Sequence, residues 1–354
     1  MDIINANGFS LENKDKVKEK SERFHSVIDF SNFLMHVLRI YLEKKYESKD
    51  DIRNISLDTK FLMDSFEKLL KSGANDIKEF GIILLQCRYL FDRYVIKTDQ
   101  SKERDDHWSL LTIKPSKSTS YQYNNSFDDE YYQNNVVMLL SMFHVSHPAQ
   151  IYKNWLYAVM RWLFKKGNHF DATAYIDFLE KLSDRYYFNY YCSSREPETF
   201  FNILYEDHLE LNKALNTAFL DTGTNVPNFI FNRLDYLLWK NKVAKYDKFR
   251  FTFRSSVEHF YPQNPDKENI EQDIDKATLD HFGNLCLVSS SINSKFSNNM
   301  PKAKKANFAN TAYFSLKLDE MMSLADSWAK EKVIEHGDKM KDILNTTSNS
   351  PFNP

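Results

Sequence analysis

The chain has 354 residues, of which 42% are apolar and 27% charged, with a formal net charge of −2. That composition fits a globular protein of about two domains and argues against wholesale disorder and against a uniformly basic nucleic-acid binder. Glycine is scarce, at 7 residues, and there are 9 prolines, so few turns are Gly- or Pro-driven and the class leans helical. Cys87, Cys192 and Cys286 are widely spaced with no C-x-x-C pair, which supports neither a zinc ribbon nor a disulfide framework and fits reduced thiols in a cytoplasm. The start, MDIINANGFSLENKDK, lacks a signal-peptide pattern, and the most apolar run, Val136 to Phe143, is far short of the ~20 residues of a membrane span.

Residues 1–23 form a polar lead-in. From Asp29 to Lys45, Phe30, Phe33, Leu34, Val37, Leu38, Tyr41 and Leu42 recur at helical spacing. The pattern predicts a second helix over Thr59–Lys71, stopped by Ser72-Gly73, and a third from about Asn75 through Phe91. Trp108 to Ile113 reads as a short strand and Ser116 to Asp129 as a polar loop. Further helices are expected over Val136–Phe143, Ile151–Phe164, Asp177–Tyr191 and about 198–206, the last opened by Pro197. His144 and His147 read as helix-end packing residues, and Trp155, Trp162, Tyr186 and Tyr187 as core. Residues 24–225 thus read as a helical domain closed by a linker or cap, TAFLDTGTNVP.

After a helix at Phe229–Lys240 the pattern changes. Aromatic and polar residues alternate from Lys248 to Tyr261, which predicts a strand. A second strand is expected at Leu285–Ser289, a short helix at Ser291–Asn299 and a longer one at Thr311–Ile334, before a flexible tail at 345–354. Residues 226–344 are the second expected domain, a ββα unit with flanking helices, making the whole chain mainly α with a small α+β module.

This ββα stretch carries the chemistry. Glu258-His259 ends the first strand, Gly283-Asn284-Leu285 opens the second, and Asn293 begins a run of amide and basic residues in the short helix. Hydrolysis of a phosphodiester needs a base near neutrality to take a proton from water, and an imidazole supplies it. A hard divalent cation stabilises the charge that develops on the phosphate and the leaving oxygen. Mg²⁺ (or Mn²⁺) needs only one or two protein oxygens beside water and substrate, and Glu258 and the Asn293 side-chain carbonyl are of that type. His259 then stays free as the base. Neighbours on a regular strand face opposite sides, so both can serve one phosphate only if the strand ends or bulges there, and Pro262 makes an end reasonable. Six acids between Pro265 and Asp280 are followed, from His281 to Leu318, by no acids and five lysines, Lys295, Lys302, Lys304, Lys305 and Lys317. The basic run suits contact with a phosphate backbone.

E-H-x-x-P-Q at 258–263, G-N-L at 283–285 and N-x-K-x-x-N-x-x-P from Asn293 to Pro301 resemble the motifs of the HNH, or His-Me finger, nucleases, and are most similar to the nuclease domain of GmrSD-type restriction enzymes that act on modified phage DNA. The core resemblance covers about residues 250–310. It implies a nicking DNA endonuclease of an antiphage restriction system, with His259 as general base and Glu258 and Asn293 as metal ligands. It implies further that Asn284 braces the loop between the strands within the catalytic unit and that Asn299 supports the site. Beside the resemblance, His281 is read as a supporting residue, with a second catalytic histidine or a phosphate donor as its alternatives, and Lys295, Lys302, Lys304 and Lys305 are the expected phosphate contacts. The helical segments around Phe24–Leu34, Phe91–Lys97 and Leu234–Lys240 are similar to the region that precedes the nuclease domain in that family. The family's D-G-Q-Q-R motif and the G-x-x-x-x-G-K-[ST] loop are absent from the sequence. The chain therefore resembles the cleaving half, encoded separately or cut from a longer protein, with a modification-sensing NTPase as its partner. Two alternatives stand beside this: an interaction subunit that docks such a sensor and whose nuclease is licensed or degenerate, and an RNA-cleaving toxin.

Overall fold

Asp29 shows how locally the helices are specified. Its side chain accepts a hydrogen bond from Asn32 N (2.8 Å) and so caps α1, Phe30–Lys45. A computed structural model of the chain describes residues 23–46, 56–100, 107–115, 121–149, 153–193, 200–205, 209–265, 274–308 and 311–348. The polar lead-in before residue 23, Pro197, and Asp266, Glu268, Glu271 and Asp273 of the acidic run lie outside these residues.

Strand β1, Phe24–Ser26, precedes α1. A single 3-10 turn leads into α2, Leu62–Lys71, and Gly73 (φ 119) reverses the chain into α3, Ala74–Tyr94. Strands β2, Lys97–Asp99, and β3, Trp108–Ser109, complete an antiparallel sheet in the order β1-β2-β3. β4, Leu111–Pro115, pairs with β5, Tyr121–Asn125, with Ile113 opposite Tyr123. The polar loop expected at 116–129 therefore contains a strand, because Tyr121 and Tyr123 alternate with amides and present β-prone side chains to one face.

The centre of the core is α4, Glu130–Ser146, capped by Asp129 and buried on nearly every side from Val136 to Phe143. Around it lie α5, Asn154–Lys166, α6, Ala172–Arg185, a π-helical turn at Tyr186–Tyr191, and α7, Phe200–Tyr205. Trp155, Tyr175, Tyr186 and Tyr187 are wholly enclosed, so the aromatic content fills the interior. His144 and His147 are also buried, and burial holds both imidazoles far below their ordinary range, to about 3 and about 4. All three cysteines are free and buried. No helix among the described residues is long and apolar enough to cross a membrane.

Helix α8, Asn228–Asn241, packs on α4 on one side. On the other it meets α12, Leu316–Ser323, and α13, Lys330–Leu344. One apolar core runs from Val27 to Leu344 across the expected boundary at 225/226. Between α8 and α12 the chain forms β6, Ser256–His259, α9, Lys276–Leu279, β7, Leu285–Val288, α10, Ser290–Phe296, and α11, Pro301–Asn307. A second apolar cluster, including Phe260, Cys286, Val288, Phe296 and Trp328, sits under this unit.

Three expectations change here. Of the alternating stretch from Lys248 to Tyr261, only Ser256–His259 joins a ladder. Phe249 and Phe251 are both buried without strand pairing, while Phe253 is exposed. The single helix expected over Thr311–Ile334 is broken, because Ser315 Oγ accepts from Leu318 N and starts α12 afresh, and Trp328 turns inward before α13. The tail is anchored as far as Ser348, whose hydroxyl donates to Asp184 (2.6 Å) and whose amide donates to the same carboxylate.

Candidate active site

The strand pair is the base of the site. β6 and β7 run antiparallel, with Glu258 opposite Cys286 and His259 opposite Leu285, and Phe260 N donates to Asn284 O (2.8 Å). β6 ends at His259, with Glu258 and His259 its last two paired residues. β-Pairing places both residues on an element whose approach is fixed two residues upstream. There, buried Arg254 donates through Nη1 to Asp235 (2.7 Å) and through Nη2 to Asn232 (2.5 Å) of α8.

His259 is nearly enclosed, and its Nε2 lies 3.0 Å from Asp280 Oδ1. An ionised carboxylate only accepts, so this contact puts the ring proton on Nε2 and leaves Nδ1 with a lone pair. Asp280 was legible only as one acid in a polar run. The available signal was its position directly before His281 in the second motif block. Asp280 is itself placed by the segment read as a linker. Gly223 N donates to Asp280 O (3.1 Å), and a Cβ at Gly223, whose φ is +64, would come within 2.6 Å of Asp280 Oδ1. Only glycine allows that backbone shape and that approach together.

Asn284 is a scaffold residue with no exposed surface. Its Oδ1 accepts from Tyr261 N (2.7 Å) and Trp328 Nε1 (3.2 Å), and its Nδ2 donates to Tyr261 O (3.1 Å) and Leu279 O (3.0 Å). The amide therefore clamps the chain leaving β6 to the chain entering β7. Preceding it, Gly283 lets α13 come close: a Cβ there would lie 1.8 Å from Val333 O. His281 Nδ1 accepts from Gly283 N (3.1 Å), while its Nε2 faces Lys341 Nζ (3.1 Å). It supports the turn and does not touch His259's partner oxygen.

Glu258 is half-buried, and Lys304 Nζ lies 3.6 Å from its Oε1. Burial pushes its carboxyl above the ordinary range, against the opposing pull of Lys304 and His259. α10, which carries half-buried Asn293, packs against β6. Ser297 turns the chain out of that helix in the left-handed region (φ 43), with its N–H on Asn293 O (3.1 Å), and Asn299 Nδ2 donates back to Lys295 O (3.3 Å). A carboxylate and an amide carbonyl are hard oxygen donors, and a desolvated carboxylate favours a cation, so the donor set fits Mg²⁺ or Mn²⁺ completed by water and substrate. Among the described residues, no group of three or more His, Cys, Asp and Glu side chains could hold a metal, so a fully protein-built cage is not what these residues offer.

The lysine run divides. Lys295, Lys302 and Lys305 are exposed, Lys305 pairing with Asp326. Lys304 corrects the sequence expectation, because it is buried and donates to His259 O (2.7 Å) and Phe260 O (2.9 Å) beneath the strand end. The helical phase set by Pro301 at the start of α11 turns it inward. Lys317 is likewise enclosed, donating to Phe282 O (2.9 Å) and Leu285 O (2.5 Å).

Burial pushes the Lys317 ammonium down to about 7, from an ordinary value of 10.5. Between those values the unfolded chain binds more protons than the native one, so stability rises with pH from about 7 to 10.5, and the full cost of the buried charge remains below 7. Urea midpoints at pH 6.5 and 9 are expected to differ for the native chain and to converge for Lys317→Met. A variant that keeps the native slope would assign it to other groups.

Residues 207–343 match the family model described as GmrSD restriction endonucleases, C-terminal domain. No curated protein and no solved structure matches the chain. The matched stretch contains β6, β7, α10 and every residue of the His259 surroundings described above. Over residues 207–343 the chain is therefore similar to the C-terminal domain of the GmrSD restriction endonucleases.

Proposed function

We propose that this protein is a metal-dependent HNH endonuclease that nicks DNA, the cleavage component of a cytoplasmic antiphage restriction system. Modified phage DNA is its substrate, and a separate nucleotide-hydrolysing sensor is its partner. The observation that carries the reading is the His259–Asp280 pair at the end of the strand bearing Glu258, inside the matched domain.

Asp280 holds the Nε2 proton of His259 and stabilises the imidazolium that forms when Nδ1 takes a proton from water. The water oxygen then bonds to phosphorus as the phosphorus–oxygen bond to the leaving sugar oxygen breaks. Lys304 fixes the carbonyls of His259 and Phe260, so the base is held on a strand end that does not fray. Near-complete burial keeps bulk water from the imidazole apart from the reacting molecule. Glu258 and Asn293 would hold the cation, and when bound it would supply the positive charge that the phosphate and leaving oxygen need.

Supercoiled plasmid with Mg²⁺ or Mn²⁺ tests this. Wild-type protein is expected to yield nicked circles, with EDTA suppressing the product. Glu258→Ala and Asn293→Ala are expected to need about tenfold or more metal for half-maximal rate. Metal titrations superimposed on that of the wild type would reject their ligand role.

A further inference from the structure

Beside the strand pair runs a groove that the catalytic reading does not use. Its larger part has a volume of about 640 Å³ and is lined by Leu287 and Val288 of β7, by Ile292 and Lys295 of α10, and by Phe253 and Phe314. A separate, smaller cavity of about 120 Å³, lined by Lys248 and Arg250, shares Thr252 and Phe314 with it. Neither part is lined by an aspartate or a glutamate. Lys248, Arg250 and Lys295 are exposed, and Lys248 and Lys295 form no ion pair among the described residues.

The walls are as distinctive as the charge. Phe253 is 49% exposed and Phe314 36%, although Phe249 and Phe251 on the same segment are buried. Large aromatic rings left in water beside exposed cations form the pattern that receives stacked bases and a phosphate backbone. The K-F-R-F-T-F-R stretch at 248–254 is not paired as a strand; Lys248, Arg250, Thr252 and Phe253 line the two cavities, while Phe249 and Phe251 face the core. At the other end the groove reaches α10, the helix that carries Asn293.

We propose that this groove binds an unpaired stretch of DNA, its bases against Phe253 and Phe314 and its phosphates along Lys248, Arg250 and Lys295, and delivers that strand to the site at Glu258 and His259. The delivery rests on the nuclease reading, whereas the binding does not. A paired duplex keeps its bases stacked on each other and cannot offer them to the two rings. The substrate is therefore a locally opened strand.

Binding is measured by fluorescence anisotropy with a labelled oligo-dT, in a His259→Ala background so that nothing is cut. Phe314→Ala is expected to weaken binding about fivefold or more, and Phe314→Trp to restore it. Phe253 also packs on Trp108 and His144, with ring centroids 5.9 and 5.4 Å apart, so Lys295→Gln serves as the second variant. It is expected to weaken binding and to flatten its salt dependence. A paired duplex is expected to lose nothing on Phe314→Ala. The proposal is overturned if the wild-type groove does not bind oligo-dT, if Phe314→Ala and Lys295→Gln bind as tightly as the parent, or if the duplex loses as much as the single strand. Failure of the nuclease reading shows separately, as plasmid nicking that survives His259→Ala.

Discussion

Nicking by the His259→Ala protein is expected to run about 10²–10⁴-fold slower than wild type, the usual contribution of a positioned general base. The imidazole is joined to Asp280 at the strand end, and its removal leaves the attacking water without a proton acceptor. The fold should survive, because the strand end is held by backbone atoms and by Lys304, not by the ring. The assay is single-turnover nicking of supercoiled plasmid, paired with a thermal melt of the same sample. Asp280→Asn should fall between the two proteins, since it keeps the shape and loses the charge that stabilises imidazolium. Nicking by His259→Ala within threefold of wild type would remove His259 from the chemistry.

Unfolding of Asp235→Ala is expected to cost about 3–5 kcal/mol less than unfolding of the wild type, the range for breaking a buried ion pair by deleting one partner. Asp235 is fully enclosed. One carboxylate oxygen accepts from Arg254, and the other accepts from Leu316 N (3.0 Å) and Lys317 N (2.9 Å) at the start of α12. Deletion strands the buried Arg254 guanidinium and uncaps a helix in the same step. Arg254 leads into β6, so activity should fall together with stability, in contrast to His259→Ala. Asp235→Asn keeps an accepting oxygen and should lose less. Equilibrium urea denaturation measures the difference, and a loss below about 1 kcal/mol would show that the pair is not what joins α8 to the nuclease unit.

Helices were legible because their signals are local. The stripe from Phe30 to Leu42, the Asp29 cap and the Ser72-Gly73 stop are each written within a few residues. The Glu258-His259 strand, the strand after Asn284 and the helix through Asn293 were legible for the same reason, as period-2 and turn signals close together. Two readings failed because the pattern was right and the surroundings were not. The alternating phenylalanines at 249, 251 and 253 match a strand, yet the first two are core residues of an unpaired segment. Lys304 and Lys317 carry the same charge as their exposed neighbours, and only helix phase and packing turn them inward. Asp280 was out of reach because its meaning lies in a contact with His259 21 positions away, through a turn supported by Gly223. Asn284 carries a comparable lesson, since its four hydrogen bonds bring together Leu279, Tyr261 and Trp328 from three segments.

Anomalous scattering from a crystal soaked in Mn²⁺ locates the cation directly. The account predicts one strong peak at roughly 2.0–2.3 Å from both a Glu258 carboxylate oxygen and the Asn293 side-chain oxygen, with the His259 ring on the same face and still joined to Asp280. A peak coordinated elsewhere in residues 207–343, with Glu258 still paired to Lys304, would contradict it.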